Sequence, residues 1–394
     1  MSRRTVLYLA AWNVQAVHEG IVDYAHEGGW ILDNSMCYTG AIPDGVVPDG
    51  VICRHAYRAD IIDFARSLDV PTVAFEHDDR LPVPRVYYDE EEIGAMAARH
   101  LIDRDFKVLC FLHLGFTPYQ MPRMDGFRRE AEAAGCRFVA LSPPQPPKSW
   151  HPAPGEAWTW LEQAMGTFDE PIGMMVTNDQ IARPTIDALA HMGYRVPTQV
   201  AVVSAENDAM ICEIAAVSIS SVEAATRRIG YEAARMLDRM MDGEAPDRET
   251  LRVPPTHVEV RESSDIRAID NIHAAEALRY IWRHYREPMR VEHVAEEASI
   301  TRRHLQTLFD KHVGHTMQEE IARVRTARAC HLLKTSALKV NAIAAQSGFN
   351  TSLHLHRTLQ TIVGMGPKAF RDSGEMPELG CVPASVGLRS PRSR

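Results

Sequence analysis

Two clusters of hydrogen-bonding side chains, set 49 residues apart, have the chemistry of base-pair readers. The first holds Thr301, Arg302, Arg303, His304 and Gln306; the second holds Asn350, Thr351, Ser352, His354 and His356. Arg forks onto the two acceptors of guanine, Asn and Gln pair with adenine, and Ser, Thr and His reach base edges or phosphates. Such groups read sequence only when a helix carries them into the major groove. His354 and His356 are two residues apart and point to different sides of a helix, a poor pair of metal ligands. No metal or cofactor site is expected.

The elements that would carry these clusters repeat with the same offset. Val291, Val294, Ala295, Ser299 and Ile300 align with Val340, Ile343, Ala344, Gly348 and Phe349. Each copy has apolar residues on one helical face, a small residue where two helices must touch, and then a turn residue. A second helix follows in each copy, over 301–311 and 351–362. Between the copies an amphipathic helix over 318–333 buries Ile321, Val324, Cys330, Leu332 and Leu333 and holds the units apart. If both second helices enter one face of a duplex, they sit one turn apart, roughly 34 Å. Arg325 on the connecting helix is expected in an internal ion pair.

Charge agrees with this placement. Net charge is −9, but residues 266–374 carry 16 Lys+Arg against 10 Asp+Glu, whereas residues 1–265 carry 24 against 40. Only the C-terminal module has the balance to meet phosphate. Residues 291–371 resemble the AraC/XylS family of DNA-binding domains. The resemblance rests on Ile343-Ala344, Gly348-Phe349, Leu353–Leu359, Gly364, Pro367 and Phe370-Arg371; His354, Leu355 and Leu359 stand where that family usually has aromatics.

Upstream, short apolar runs alternate with helix-period segments. Strands are expected at 5–10, 30–34, 50–53, 72–75, 107–112, 172–176 and 200–204, and helices at 14–27, 59–68, 90–102, 125–134, 181–192 and 226–241. This alternation means parallel sheets with helices on both faces. The Pro-rich stretch Pro143–Pro154 reads as a surface loop. Clefts in such sheets lie at the carboxyl ends of strands. Polar residues expected there are Asn13, Arg54, Arg123, Asn178-Asp179 and Glu206-Asn207-Asp208. Their bidentate hydrogen bonding suits a polyhydroxyl ligand, and Trp12, Tyr119 and Trp150 could stack on it.

Residues 5–262 resemble the periplasmic-binding-protein-like sensor of LacI/GalR regulators. The features are Pro48–Ile52, Val176–Asp179, Arg195-Val196-Pro197, Val200–Glu206, Ser220–Val222 and Ile229–Ala234. A sensor of this kind placed before an AraC-type reader is the order of the XylR xylose-operon activators. The resemblance implies a two-lobed sensor, a small sugar effector with xylose as first candidate, and sugar contacts at Arg123, Asp179, Glu206 and Asn207. The family norm at the last site is Gly-x-Asp followed by Asn or Asp, where this chain has Ser204-Ala205-Glu206-Asn207. Either the added bulk narrows the pocket toward a pentose, or Glu206 turns away and leaves Asn207 and Asp208 to hold the hydroxyls.

The expected organisation is an α/β two-lobed periplasmic-binding-protein-like sensor over 1–262 and a polar linker over 263–270. An all-α double helix-turn-helix domain follows over 271–374, then a disordered tail over 375–394. Seven widely spaced cysteines without a C-x-x-C pair argue against a disulfide framework or zinc site and for a reducing cytoplasm. No apolar run approaches the ~18–20 residues of a membrane span; Thr5–Trp12 reads as a buried strand rather than a leader. An enzyme is the rival class, but Trp12-Asn13-Val14 lacks dinucleotide-binding glycines and Cys110 lies inside an apolar run. An enzyme-like or non-sugar-binding N-terminal domain is the alternative. Operator DNA, a sugar, a second copy of the chain and, for an activator, RNA polymerase are the expected partners, with no membrane.

Overall fold

The computed structural model describes residues 3–373 apart from 12–13, 77, 116–119, 146–157, 247–249 and 270. Asn13, Trp12, Tyr119, Trp150, most of the Pro-rich stretch and the expected tail lie outside the described residues. In chain order the elements are β1 (Thr5–Ala10), α1 (Gln15–Gly28), β2 (Ile31–Asp33), α2 (Met36–Thr39), β3 (Gly50–Arg54), α3 (Ala59–Ser67), β4 (Thr72–Ala74), β5 (Arg85–Tyr88), α4 (Glu90–Ile102), β6 (Val108–Leu112), α5 (Gln120–Ala133), β7 (Arg137–Leu141), α6 (Thr159–Met165), β8 (Ile172–Val176), α7 (Asp179–His191), β9 (Val200–Ala205), α8 (Ala209–Cys212), β10 (Ser220–Glu223), α9 (Thr226–Met241), β11 (Thr250–Val253) and β12 (His257–Glu259). Seven helices follow: α10 (Ile272–His284), α11 (Val291–Glu297), α12 (Arg302–His312), α13 (Met317–Thr335), α14 (Val340–Gln346), α15 (Ser352–Ile362) and α16 (Pro367–Ser373).

The chain forms two compact units, Met1–Ile93 with Glu223–His257, and Gly94–Val222 with Val258–Arg394. In the first, a six-stranded sheet runs β11-β5-β4-β3-β1-β2. Its strands pair in parallel, with β1 between β2 and β3. Period-two alternation sends Val6, Tyr8 and Ala10 to one core and Leu7 and Leu9 to the other. Helix α1 crosses α9 at two glycines. A Cβ on Gly230 would stand 2.0 Å from the Val17 carbonyl oxygen, and one on Gly20 would stand 1.9 Å from that of Arg227. Backbone contact at this crossing therefore requires both positions to lack a side chain.

The second unit holds a sheet of order β12-β10-β9-β8-β6-β7, followed by the helical part. Val108, Cys110, Leu112, Met174, Val176, Val200 and Val202 face Leu161, Ile181 and Leu189 across one buried layer. Burial pushes the Cys110 thiol up to about 12, the behaviour of a core thiol rather than a nucleophile. In the helical part, Ala329, Leu333, Ile343, Phe349, Leu355, Leu359 and Phe370 form a separate core.

Helix α5 begins five residues before the expected start at 125, because Pro122 reads as a breaker but is tolerated in a first turn. Strands β5, β10, β11 and β12 are short and rich in polar or half-exposed residues; β7, Arg137–Leu141, has an apolar run that the sequence reading passed over. The stretch expected as a polar linker is packed: Ser263 and Ser264 are fully buried, and Ile266 and Ile269 nearly so.

Candidate functional site

In the first unit the carboxyl ends of β1, β3 and β4 carry a polar group. Arg54 closes β3, and His55 next to it is fully buried. The His55 backbone N–H donates to a Glu76 carboxylate oxygen at 3.1 Å, and the His55 ring Nδ1 accepts from the Tyr57 N–H at 3.0 Å. Burial pushes the Glu76 carboxyl up, and the positive charge of Arg54 works against that rise. Tyr8 brings a buried hydroxyl from β1, whose ionisation burial pushes up.

In the second unit Arg123 and the loops after β8 and β9 form one network. Arg123 is almost completely buried on α5, and its guanidinium donates to the Thr177 carbonyl. Asn178 caps α7 by accepting from the Ile181 N–H at 3.1 Å. Asp179, 1% exposed, accepts from the Ser221 hydroxyl at 2.7 Å, the Asp208 N–H at 2.7 Å and the Ser204 hydroxyl. Burial pushes its carboxyl up, and the Ser204 and Ser221 hydroxyls act to hold the charged form. Three of the about four lone-pair sites on this carboxylate are therefore taken by the turn, at a position where the resemblance implies a sugar contact.

That turn is strained. Glu206 and Asn207 have φ of +98° and +53°, the left-handed region that non-glycine residues seldom enter. Ser221 holds the Asn207 N–H at 3.0 Å, and the Arg261 guanidinium holds its side-chain oxygen at 2.8 Å. Ser204 and Ala205 are fully buried. The Asp208 carboxylate accepts from the Met210 N–H at 2.9 Å as the cap of α8. Of the expected contacts, the second unit brings Arg123, Asp179, Glu206 and Asn207 to one end of its sheet. Arg54 belongs to the first unit.

The C-terminal helices form two helix-turn-helix units. The turn residue of each copy is left-handed, Ser299 at φ +57° and Gly348 at φ +80°. Thr301 accepts from the His304 N–H at 3.3 Å and Thr351 from the His354 N–H at 3.0 Å, so each opens its reading helix as an N-cap. Arg302, Arg303, Asn350 and His356 are exposed, with Gln306 and Ser352 half-buried. Arg302 pairs with Glu292 at 2.6 Å and Gln306 with Asp310 at 2.8 Å. His356 lies against Gly366, where an added Cβ would be 2.7 Å from its ring. Among the described residues Arg325 makes no ion pair. It donates to the Tyr285 carbonyl at 2.7 Å and the Glu287 carbonyl at 2.9 Å, satisfying the end of α10.

Residues 86–264 match the periplasmic binding protein-like domain, and residues 294–373 match a helix-turn-helix domain. The xylose operon regulatory protein of Escherichia coli K12 is 27% identical over 393 residues, covering 94% of this chain and 97% of that one. Its counterpart from Haemophilus influenzae is 24% identical over 315 residues, covering 77% and 79%. The solved structure of the xylose-binding transcription activator xylR matches with a TM-score of 0.68 at 23% identity, over 95% of this chain and 100% of that chain. Over nearly its whole length the chain is similar to XylR-like transcription regulators. A CelR–cellobiose complex matches with a TM-score of 0.52 at 22% identity, over 67% of this chain and 86% of that one, and supports the sensor fold.

The regulator also has candidate residues that sequence reasoning missed. Arg357 and Leu353 are exposed on α15; the basic signal of Arg357 was present but lost in an apolar helix. Tyr8 was hidden inside an apolar strand, and His55 and Glu76 lie just beyond the ends of two others. Arg261, at the end of the expected sensor, was given no role, yet its side chain is only 8% exposed.

Proposed function

We propose that the regulator is a cytoplasmic homodimer that binds operator DNA and a pentose-class sugar, with xylose the first candidate, and activates transcription with RNA polymerase. The observation that carries this reading is the alignment, nearly end to end, with xylose operon regulatory proteins. The chain is a binder, not an enzyme; the core position of Cys110 supports that. Arg123, Glu206 and Asn207 contact the sugar, and Asp179 braces the turn that presents Glu206 and Asn207; Arg54 and Asn13 remain proposed sugar contacts as well. Arg302, Arg303, Gln306, Asn350, Ser352 and His356 meet the duplex. Thr301 and Thr351 cap their helices and offer the hydroxyl proton to phosphate. Exposed Leu353 suits a thymine methyl.

Calorimetry of the full chain with xylose, arabinose, ribose, glucose and xylitol tests the sugar reading. Xylose is expected to bind; a folded chain that binds none of the five overturns it. Sedimentation with and without sugar and duplex tests the dimer, which a monomer under all conditions excludes.

A further inference from the structure

Arg261 and Glu262 are consecutive, and they face opposite ends of one route. The Arg261 guanidinium forks, with Nη1 on the Ile219 carbonyl at 2.9 Å and Nη2 on the Asn207 side-chain oxygen at 2.8 Å. Its backbone is locked to Ser220 both ways, N–H to hydroxyl at 2.8 Å and hydroxyl to carbonyl at 2.9 Å. Glu262 accepts from the Ser218 N–H at 3.3 Å and from Arg283 on α10 at 2.5 Å. Two turns earlier on α10, Glu276 pairs with Arg195 from the loop before β9. Arg279 lies between them; desolvation lowers its pKa, and the charges of Glu262 and Glu276 oppose the fall. One face of α10 is thus tied to the sensor by two ion pairs, one of them made by the neighbour of Arg261.

We propose that Arg261-Glu262 is a two-ended tie. Arg261 is a positioning residue that orients the Asn207 carboxamide for the ligand, and Glu262 passes movement of that turn to α10 and the DNA-reading helices. This rests on the sugar reading above. With its oxygen held by Arg261, the Asn207 carboxamide is fixed in orientation. A ligand that draws on Asn207 pulls on a rigid fork, and the fork is joined through one peptide to the α10 anchor. The Glu262–Arg283 pair is exposed, so it adds little to stability; its role is alignment.

The test uses the full chain, D-xylose, and a fluorescent duplex selected by the wild-type chain from random sequence. Arg261→Ala is expected to raise the xylose Kd about tenfold, the range for a lost charged hydrogen bond. Arg261→Lys does not restore it, since an ammonium cannot fork onto two acceptors. Glu262→Gln and Arg283→Gln are expected to keep the xylose Kd within about twofold, as exposed pairs do, yet lose most of the xylose-induced change in duplex affinity. The exchange Glu262→Arg with Arg283→Glu should recover that change. Full xylose response in both Gln variants overturns the tie, as does wild-type xylose affinity in Arg261→Ala. The Gln variants decide the matter if Arg261→Ala does not fold. A wild-type chain that binds no sugar removes the underlying reading, and with it this one; a chain that binds xylose but whose Gln variants respond fully removes this one alone.

Discussion

The Trp282 indole N–H donates to the Glu320 carboxylate at 2.6 Å, inside the helical domain where Glu320 is fully buried. Burial opposes the charge on Glu320, but hydrogen bonds from His315 and Arg323, with that of Trp282, prevail and hold its carboxyl at about 2. The folded pKa is below the unfolded one, so the stabilisation is present above the usual Glu value and is lost as pH falls toward 2. Glu320→Gln should cost about 3 kcal/mol at pH 7. It should also flatten the loss of stability between about pH 5 and pH 2. Denaturant melts of the helical domain's near-ultraviolet signal at several pH values would check both; equal pH slopes in the two proteins contradict the assignment.

Gly230 should be intolerant of any side chain. Its Cβ would stand 2.0 Å from a backbone oxygen of α1, which no rotamer can relieve. Gly230→Ala should destabilise the sensor by about 1–3 kcal/mol or more, the range for overpacking. Asp242→Ala near the exposed end of α9 serves as a control with little effect. Thermal denaturation distinguishes the two.

Arg123 and Asp179 should fail in different ways. Arg123→Ala should lose most xylose affinity in calorimetry. Asp179→Asn keeps its shape but cannot accept from Ser204, Ser221 and Asp208 together. It should lower the thermal midpoint as well as the affinity. If Asp179→Asn lost affinity with an unchanged midpoint, the carboxylate would be a direct contact and the bracing role would be wrong.

The two-part organisation and the reading helices were legible because each rests on a strong local signal: apolar strands, a repeated helical face, and Thr at two N-caps. The interlacing of the sensor was not. Glu223–His257 returns to the unit begun by the N-terminus, and strand periodicity carries no record of which sheet a strand joins. Arg123, Asn207 and Glu206 were expected from type and position at the end of a sheet, and the second unit places them there. The bonding of Asp179 could not be foreseen, because it depends on Ser204 of β9 and Ser221 of β10, which become its donors only once those strands are adjacent. Arg261 was missed for the same reason: an arginine in a polar stretch shows no role until its partners at Ile219 and Asn207 are beside it.

Arg302 and Arg303 stand exposed at the start of α12, and Arg302 must leave Glu292 to reach a base or phosphate. Replacing both with Ala should weaken binding to the selected duplex about tenfold or more at fixed salt. It should also reduce the dependence of affinity on salt, if either contacts phosphate. Fluorescence anisotropy at two salt concentrations measures both, and unchanged affinity excludes the contact.

Ser299 and Gly348 occupy the same slot in the two repeats, and replacing each should act in opposite directions. Both are left-handed, but only Gly348 is also crowded: a Cβ there would meet the Tyr285 carbonyl at 2.3 Å and the Arg325 side chain at 2.9 Å. That carbonyl is the one Arg325 holds at 2.7 Å, so the intruding carbon would also break the cap of α10. Gly348→Ala should therefore combine backbone strain with a lost hydrogen bond and destabilise the helical domain by about 2–4 kcal/mol. Ser299 already tolerates its side chain, so only the dihedral cost applies. Ser299→Gly removes that cost but adds unfolded-state entropy, which leaves a net change of about 0–1 kcal/mol in the stabilising direction. Paired denaturant melts decide the point. Two equal, opposite effects would mean that the dihedral alone governs the slot. A neutral Gly348→Ala would mean that α10 does not pack against the second turn as the structure places it.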